Sequence, residues 1–131
     1  MAWNVEVSQE QIAFLMEAGL IYRDAKKFQE AEKIFAGVRA LAPKSEVPEV
    51  ALGTVRFAEG KLDQAIKHYQ NALKLNPRSA FAHTQLGEAL AFQGNAAEAR
   101  KHLKQAIEID PRGESGDHAR SVTTYLEKAP Q

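Results

Sequence analysis

A repeat of 34 residues constrains this chain more than any other feature of its sequence. Pro43, Pro77 and Pro111 follow one another at that interval. Apolar residues keep the same interval, in the sets Gly19, Gly53, Gly87; Ala31, Ala65, Ala99; Phe35, Tyr69, Leu103; and Leu41, Leu75, Ile109. A period of this length is typical of an array in which each unit stacks on its neighbours and shares a core with them.

Each repeat has the pattern of a helical hairpin, which is clearest in the third. Ser79 is placed to cap a helix that runs to about Phe92, and Gly94 interrupts the pattern. Asn95 is placed to cap a second helix, which must end before Pro111 because proline cannot continue it. The sequence therefore predicts a helix, a short turn and a second helix in every repeat.

Glycine recurs inside the first helix of each repeat, at positions 19, 53 and 87. A glycine inside a helix costs about 1 kcal/mol relative to alanine. We expect the chain to accept this cost because the two helices of each hairpin approach closely there. The recurring alanines at positions 31, 65 and 99 are predicted to lie across from these glycines for the same reason.

The repeated residues resemble the tetratricopeptide repeat. The matching positions are Leu86, Gly87, Gly94, Ala99, Leu103, Ala106 and Pro111 in the third repeat, and Leu52, Gly53, Gly60, Ala65, Tyr69, Ala72 and Pro77 in the second. The resemblance implies an all-α, right-handed α-solenoid of three helix hairpins plus a C-terminal capping helix. The expected division is an N-terminal segment (1–11), three repeats (12–45, 46–79, 80–113) and a capping helix with a tail (114–131).

The two chain ends lie outside the repeats. A breaker cluster follows Pro111, and a last helix is predicted from His118 to Lys128, where it would cover the apolar end of the array. In residues 1–7, apolar side chains alternate with others, which suits either an extended strap or a frayed end.

Composition argues against several classes of function. The 17 basic and 17 acidic side chains balance, so binding to nucleic acid through bulk charge is not expected. The chain has no cysteine, and His68 and His102 recur at equivalent positions without a third ligand beside them. No phosphate loop or nucleophile motif is visible, so we expect neither an enzyme nor a cofactor or metal. Without a visible signal peptide or membrane span, we expect a cytoplasmic protein with no membrane insertion.

The resemblance also implies a concave groove formed by the first helices. Its predicted partner-binding residues are Met16, Leu20, Val50, Thr54, Phe57, Phe81, Gln85, Glu88 and Phe92. This set is largely apolar, which disfavours the capture of a chaperone's C-terminal carboxylate and favours a hydrophobic or amphipathic segment. A structural alternative stays open, in which some of these side chains pack between repeats or are covered by the chain's own tail.

The function expected from this resemblance is a non-enzymatic protein-binding module, either a chaperone or an adaptor. The segment from Tyr22 to Phe35, followed by Leu41 and Pro43, is similar to the first repeat of small tetratricopeptide chaperones of bacterial type III secretion. The alternative is an architectural or self-associating scaffold subunit of a larger assembly. A protein or peptide partner is expected in either case, and a homodimer is a further alternative.

Overall fold

A computed structural model describes residues 7–128, and all regular structure in that range is helical. Seven helices follow one another along the chain: α1 (Gln9–Asp24), α2 (Phe28–Leu41), α3 (Val47–Ala58), α4 (Leu62–Leu75), α5 (Ala80–Gln93), α6 (Ala96–Ile109) and α7 (Glu114–Lys128). Three hairpins, α1–α2, α3–α4 and α5–α6, precede the single last helix. The all-α prediction is confirmed.

The helix ends follow the signals in the sequence. The Ser8 side chain accepts a bond of 3.1 Å from the Gln11 backbone, and the Gln11 side chain accepts one of 2.9 Å from Ser8, which completes a capping box. Ser79 caps α5 in the same way from its hydroxyl. Gly94 ends that helix with φ at 92°, a left-handed conformation that glycine adopts without strain.

The glycines inside the first helices do allow the hairpins to close tightly. The Phe35, Tyr69 and Leu103 side chains lie directly over Gly19, Gly53 and Gly87, respectively. The large side chain of the second helix fills the space that each glycine leaves, and at Gly87 the backbone oxygen of Ala99 also lies 3.2 Å from the position of an added Cβ atom. The recurring alanines are fully buried in the same hairpins.

The last helix starts earlier than the sequence suggested, at Glu114 rather than His118. Gly116 makes this possible, because a side chain there would collide with the backbone carbonyl of Asp110. The start of α7 lies 34 residues after the start of α5 at Ala80, so α7 keeps the register of the array. It packs against α6 and α5 as α5 packs against α4 and α3.

Candidate functional site

The first helices of successive hairpins lie side by side. Helix α1 contacts α3, α3 contacts α5, and α5 contacts α7. The predicted groove positions fall on these helices, and we call the surface that α1, α3, α5 and α7 form at these positions the groove face.

Aromatic side chains dominate the middle of the groove face. Phe92 is 68% exposed, whereas Phe57 and Phe81 are half-buried and pack on the core of the second and third hairpins. The Phe57 and Phe92 rings meet edge to face, with centroids 5.2 Å apart and an interplanar angle of 88°. Phe57 therefore packs against the Phe92 ring, and most of the Phe92 ring remains exposed to solvent.

The other predicted groove residues differ in exposure. Met16 and Leu20 are half-buried against the core of the first two hairpins. Gln85 and Glu88 are partly exposed on α5. Val50 is fully buried in the core, so it offers no surface to a partner, which departs from its predicted place in the groove.

Thr54 also departs from its predicted place, because it is buried between α1 and α3. Its hydroxyl donates to the Ala51 carbonyl at 2.6 Å and accepts a bond of 2.9 Å from the Arg23 guanidinium. This polar contact joins the first two hairpins. Position alone could not separate such a residue from one that faces a partner, because both lie on the same side of the helix.

Similar polar contacts join α5 to α7. The Thr84 hydroxyl donates to the backbone oxygen of Ser115 at 2.9 Å. His118 Nε2 lies 2.8 Å from a Glu88 carboxylate oxygen. This bond raises the pKa of His118 above its usual range, against the opposing effect of burial. The two contacts fix α7 beside α5, so the groove face continues onto the last helix.

The C-terminal end of the groove face holds a cavity of about 500 Å³ between α5 and α7. Its lining residues are Glu88, Ala91, Phe92, His118, Ser121, Val122 and Tyr125. Tyr125 is 68% exposed, as is Phe92 on the facing helix. Two accessible aromatic rings therefore flank a cavity with a mainly apolar wall, and the contact between Glu88 and His118 lies at its edge.

The α7 residues of this cavity were not among the predicted site residues. When 34 is added to the groove positions predicted in the third repeat, they fall on Ser115, Ala119, Val122 and Leu126. Of these four, Val122 lines the cavity. The period therefore indicates that α7 continues the groove face, but it does not identify His118, Ser121 or Tyr125.

The described residues show neither a metal-binding cluster nor a membrane-spanning helix. Between residues 7 and 128, no group of three or more His, Asp or Glu side chains is placed to hold a metal ion. None of the seven helices is long and apolar enough to cross a membrane. The most distinctive surface is thus the groove face, which can bury apolar side chains of another molecule against its aromatic rings.

Comparisons with known proteins agree with this architecture. A family model for the TPR repeat matches residues 53–94, and one for the tetratricopeptide repeat matches residues 80–112. No curated protein matches the sequence closely enough to assign a relative.

Three solved structures show the same fold. The type III secretion translocator chaperone SycD of Yersinia enterocolitica aligns with a TM-score of 0.77 and 23% identity, over 93% of this chain and 92% of that chain. PcrH of Pseudomonas aeruginosa aligns with a TM-score of 0.74 and 20% identity, over 97% of both chains. The first TPR of Spaghetti aligns with a TM-score of 0.70 and 21% identity, over 95% of this chain and 100% of that chain.

The helix hairpins, the glycines under large side chains, the family models and the structural neighbours all indicate one type of repeat. Residues 53–112 of this chain match the tetratricopeptide repeat, and the described chain shares the fold of these structures.

Proposed function

We propose that this protein is a non-enzymatic chaperone or adaptor that binds an extended apolar or amphipathic segment of a partner protein on its groove face. The observation that carries the proposal is the pair of exposed rings, Phe92 and Tyr125, that flank the cavity between α5 and α7. Exposed aromatic rings beside an apolar cavity suit the anchor side chains of a bound segment. Phe57 holds the Phe92 ring in place, which limits the entropy lost on binding.

The structural neighbours support this class of function. SycD has been solved with a peptide of the translocator YopD, and PcrH with the chaperone-binding regions of PopB and PopD. We propose a corresponding role here, in which the protein holds a type III secretion substrate in the cytoplasm before export.

Another kind of ligand is an HSP90 peptide, with which the first TPR of Spaghetti has been solved. Recognition of a terminal carboxylate requires donors that replace its water, since burying the charge without them is costly. The groove face instead presents Met16, Phe57 and Phe81 on three successive first helices. This apolar surface favours a hydrophobic segment over a C-terminal carboxylate.

The test uses variants at the two exposed rings. Phe92→Ala and Tyr125→Ala remove side chains that contribute little to the core, so the helical circular dichroism signal should stay intact. A partner captured from native lysate by the unaltered protein is identified, and a peptide from it is titrated against each variant. We expect each variant to bind at least about tenfold more weakly, as is common when an interface anchor is truncated.

The matched control is the pair Lys67→Ala and Lys101→Ala, on the exposed sides of α4 and α6, which should leave binding unchanged. Phe57→Ala and Phe81→Ala should weaken binding as well, but with some loss of stability because both rings pack on the core. Normal binding by the Phe92 and Tyr125 variants would show that the partner lies elsewhere.

A second candidate function, self-association, is favoured by the outer face of α1. Phe14 is 72% exposed and Ile21 is 64% exposed, one above the other at a spacing of seven residues. Phe14 also lines a cavity of about 740 Å³ with Leu41 of α2. We propose that a second copy of α1 packs here in antiparallel orientation, since Glu10 near one end would then face Lys27 near the other.

Sedimentation of the unaltered protein and of Phe14→Glu tests this candidate. A dimer that becomes a monomer in the variant supports it, and a monomer in both excludes it. SycD has been solved in an alternative dimer, which shows that a chain of this fold can self-associate.

A further inference from the structure

A pair of histidines joins the two helices of the third hairpin. His83 on α5 is almost fully buried, and its Nδ1 lies 3.0 Å from Nδ1 of His102 on α6. The two rings are stacked, with centroids 5.2 Å apart. His83 Nε2 lies 2.9 Å from the Pro77 carbonyl oxygen.

These partners fix where the protons lie. A carbonyl oxygen only accepts, so His83 must carry its hydrogen on Nε2, and in the neutral ring its Nδ1 is an acceptor. His102 must then donate from its own Nδ1. One added proton still leaves a single hydrogen between the two Nδ1 atoms, so the bond survives. A second added proton places a hydrogen on both atoms and two positive charges side by side.

The charged side chains around the pair do not offset this repulsion. Arg78 and Glu108 line the cavity beside His83. Glu98 and Lys101 act on His102 from its own helix. Their charges balance in sign, and burial together with the charge of His83 lowers the pKa of His102.

The other packed helices carry titratable pairs of their own. Glu49 and His68 join α3 to α4, with 2.7 Å between the carboxylate and Nδ1, and Glu88 pairs with His118 between α5 and α7. Each of these places a carboxylate beside a histidine, so each accepts a proton on its ring without losing its bond. The third hairpin alone among the described hairpins pairs two histidines at this position.

The repeat makes this comparison direct. Glu49 and His68 lie 34 residues before His83 and His102, so the two pairs occupy equivalent positions. In the first repeat the equivalent residues are apolar, Leu15 and Ile34. The equivalent positions therefore hold two apolar residues in the first repeat, a carboxylate and a histidine in the second and two histidines in the third.

We propose that the His83–His102 pair is a proton-sensitive contact that loosens α5 from α6 when the medium becomes acidic. In the unfolded chain both histidines bind protons near pH 6.5, whereas the folded pair resists the second proton. The folded state therefore binds fewer protons below pH 6.5, and its stability falls as the pH decreases. Because the folded pair binds one proton fewer than the unfolded chain, the equilibrium constant for local opening of the hairpin rises by up to about tenfold for each pH unit below 6.5.

Loosening of α5 would also displace side chains of the groove face, because Phe81 and Phe92 lie on that helix. A bound partner should be released on acidification, and this consequence rests on the proposed function. The loosening itself does not require a partner, so the two can be tested separately.

The first experiment uses the free protein. Hydrogen exchange of the α5 and α6 amides, corrected for intrinsic rates, is compared at pH 7.5 and 5.5 with that of α1 and α2. We expect protection in α5 and α6 to fall by up to about tenfold at pH 5.5 in the unaltered chain. His83→Glu, which installs the pair of the second repeat, should remove this loss.

A second variant, His83→Leu with His102→Ile, installs the side chains of the first repeat and should also be insensitive between these pH values. It keeps the test decisive if His83→Glu does not fold. The same loss of protection in the unaltered chain and in the folded variants, or no loss in the unaltered chain, would overturn the proposal.

The second experiment measures partner dissociation at the same two pH values. Faster dissociation at pH 5.5 in the unaltered chain, but not in the double variant, supports release through the pair. If exchange responds to pH and dissociation does not, the histidine contact stands and its link to the groove face is refuted.

Discussion

Replacing Gly53 with alanine tests whether tight hairpin closure stabilises this fold. A Cβ atom at that position would lie 2.7 Å from Cδ1 of Tyr69, closer still to Cε1, and 3.1 Å from Cβ of His68. Ordinary contacts between such atoms begin at about 3.5 Å. The Tyr69 ring is fully buried and cannot turn into solvent, so α3 and α4 would have to separate by several tenths of an ångström.

Two opposing terms decide the size of the effect. Overpacking of this kind typically costs about 1–3 kcal/mol. Alanine regains about 1 kcal/mol because it favours the helix more than glycine does. The net change expected for Gly53→Ala is therefore a loss of about 1 kcal/mol. Since a chain of this size shifts its melting temperature by about 4 °C per kcal/mol, the loss is measurable.

Gly37 in α2 provides the matched control. It is exposed, and no atom lies within 4 Å of the position that its Cβ would occupy. Gly37→Ala should therefore raise stability by about 0.5–1 kcal/mol, so the two alanine variants should differ by about 2 kcal/mol. Thermal and urea unfolding followed by circular dichroism measure both. If Gly53→Ala proves as stable as Gly37→Ala, the close approach at Gly53 has no energetic consequence and the argument fails.

Two further predictions concern buried polar groups. The Tyr69 hydroxyl is buried and has no hydrogen-bond partner within residues 7–128, so Tyr69→Phe should leave thermal stability unchanged or raise it by about 1 kcal/mol. Burial raises the pKa of Glu49, but its bonds to His68 and Arg39 outweigh this and lower the pKa below 4.5. Stability from this group is present above pH 4.5 and lost below it, so acid unfolding of Glu49→Gln should depend less on pH in that range.

Much of this fold was predictable because the repeat places the same physical requirement at the same interval. Ser79 and Asn95 marked helix starts, and the structure shows their side chains accepting backbone bonds there. Gly94 marked a helix end and takes the left-handed conformation that a turn needs. Each of these signals is local, so a single sequence contains all the information required.

The conformation of Lys26 is one that local sequence signals do not predict. It occupies the position that Gly60 and Gly94 hold in the later repeats, and its φ of 63° is left-handed like theirs. Lysine carries no preference for that conformation, so the turn is imposed by the packing of α1 against α2. The period predicted this turn, whereas the residue itself did not.

The candidate site was less predictable because exposure depends on neighbours in space. Val50 and Phe92 occupy groove positions of two repeats, yet one is fully buried and the other mostly exposed. The difference arises because α3 lies between two hairpins, whereas the cavity beside α5 is left open by α7. Helical position gives the direction of a side chain, and only the packed array shows what lies in that direction.

The two sides of helix α7 have different surroundings. The helix has the register and the packing of a first helix in the array. Its Ala119 and Val122 are buried in the core of the third hairpin, so this side covers an apolar face that would otherwise be exposed. Tyr125, one turn further, remains exposed beside Phe92. The same helix therefore covers the core of the third hairpin with one side and extends the groove face with the other.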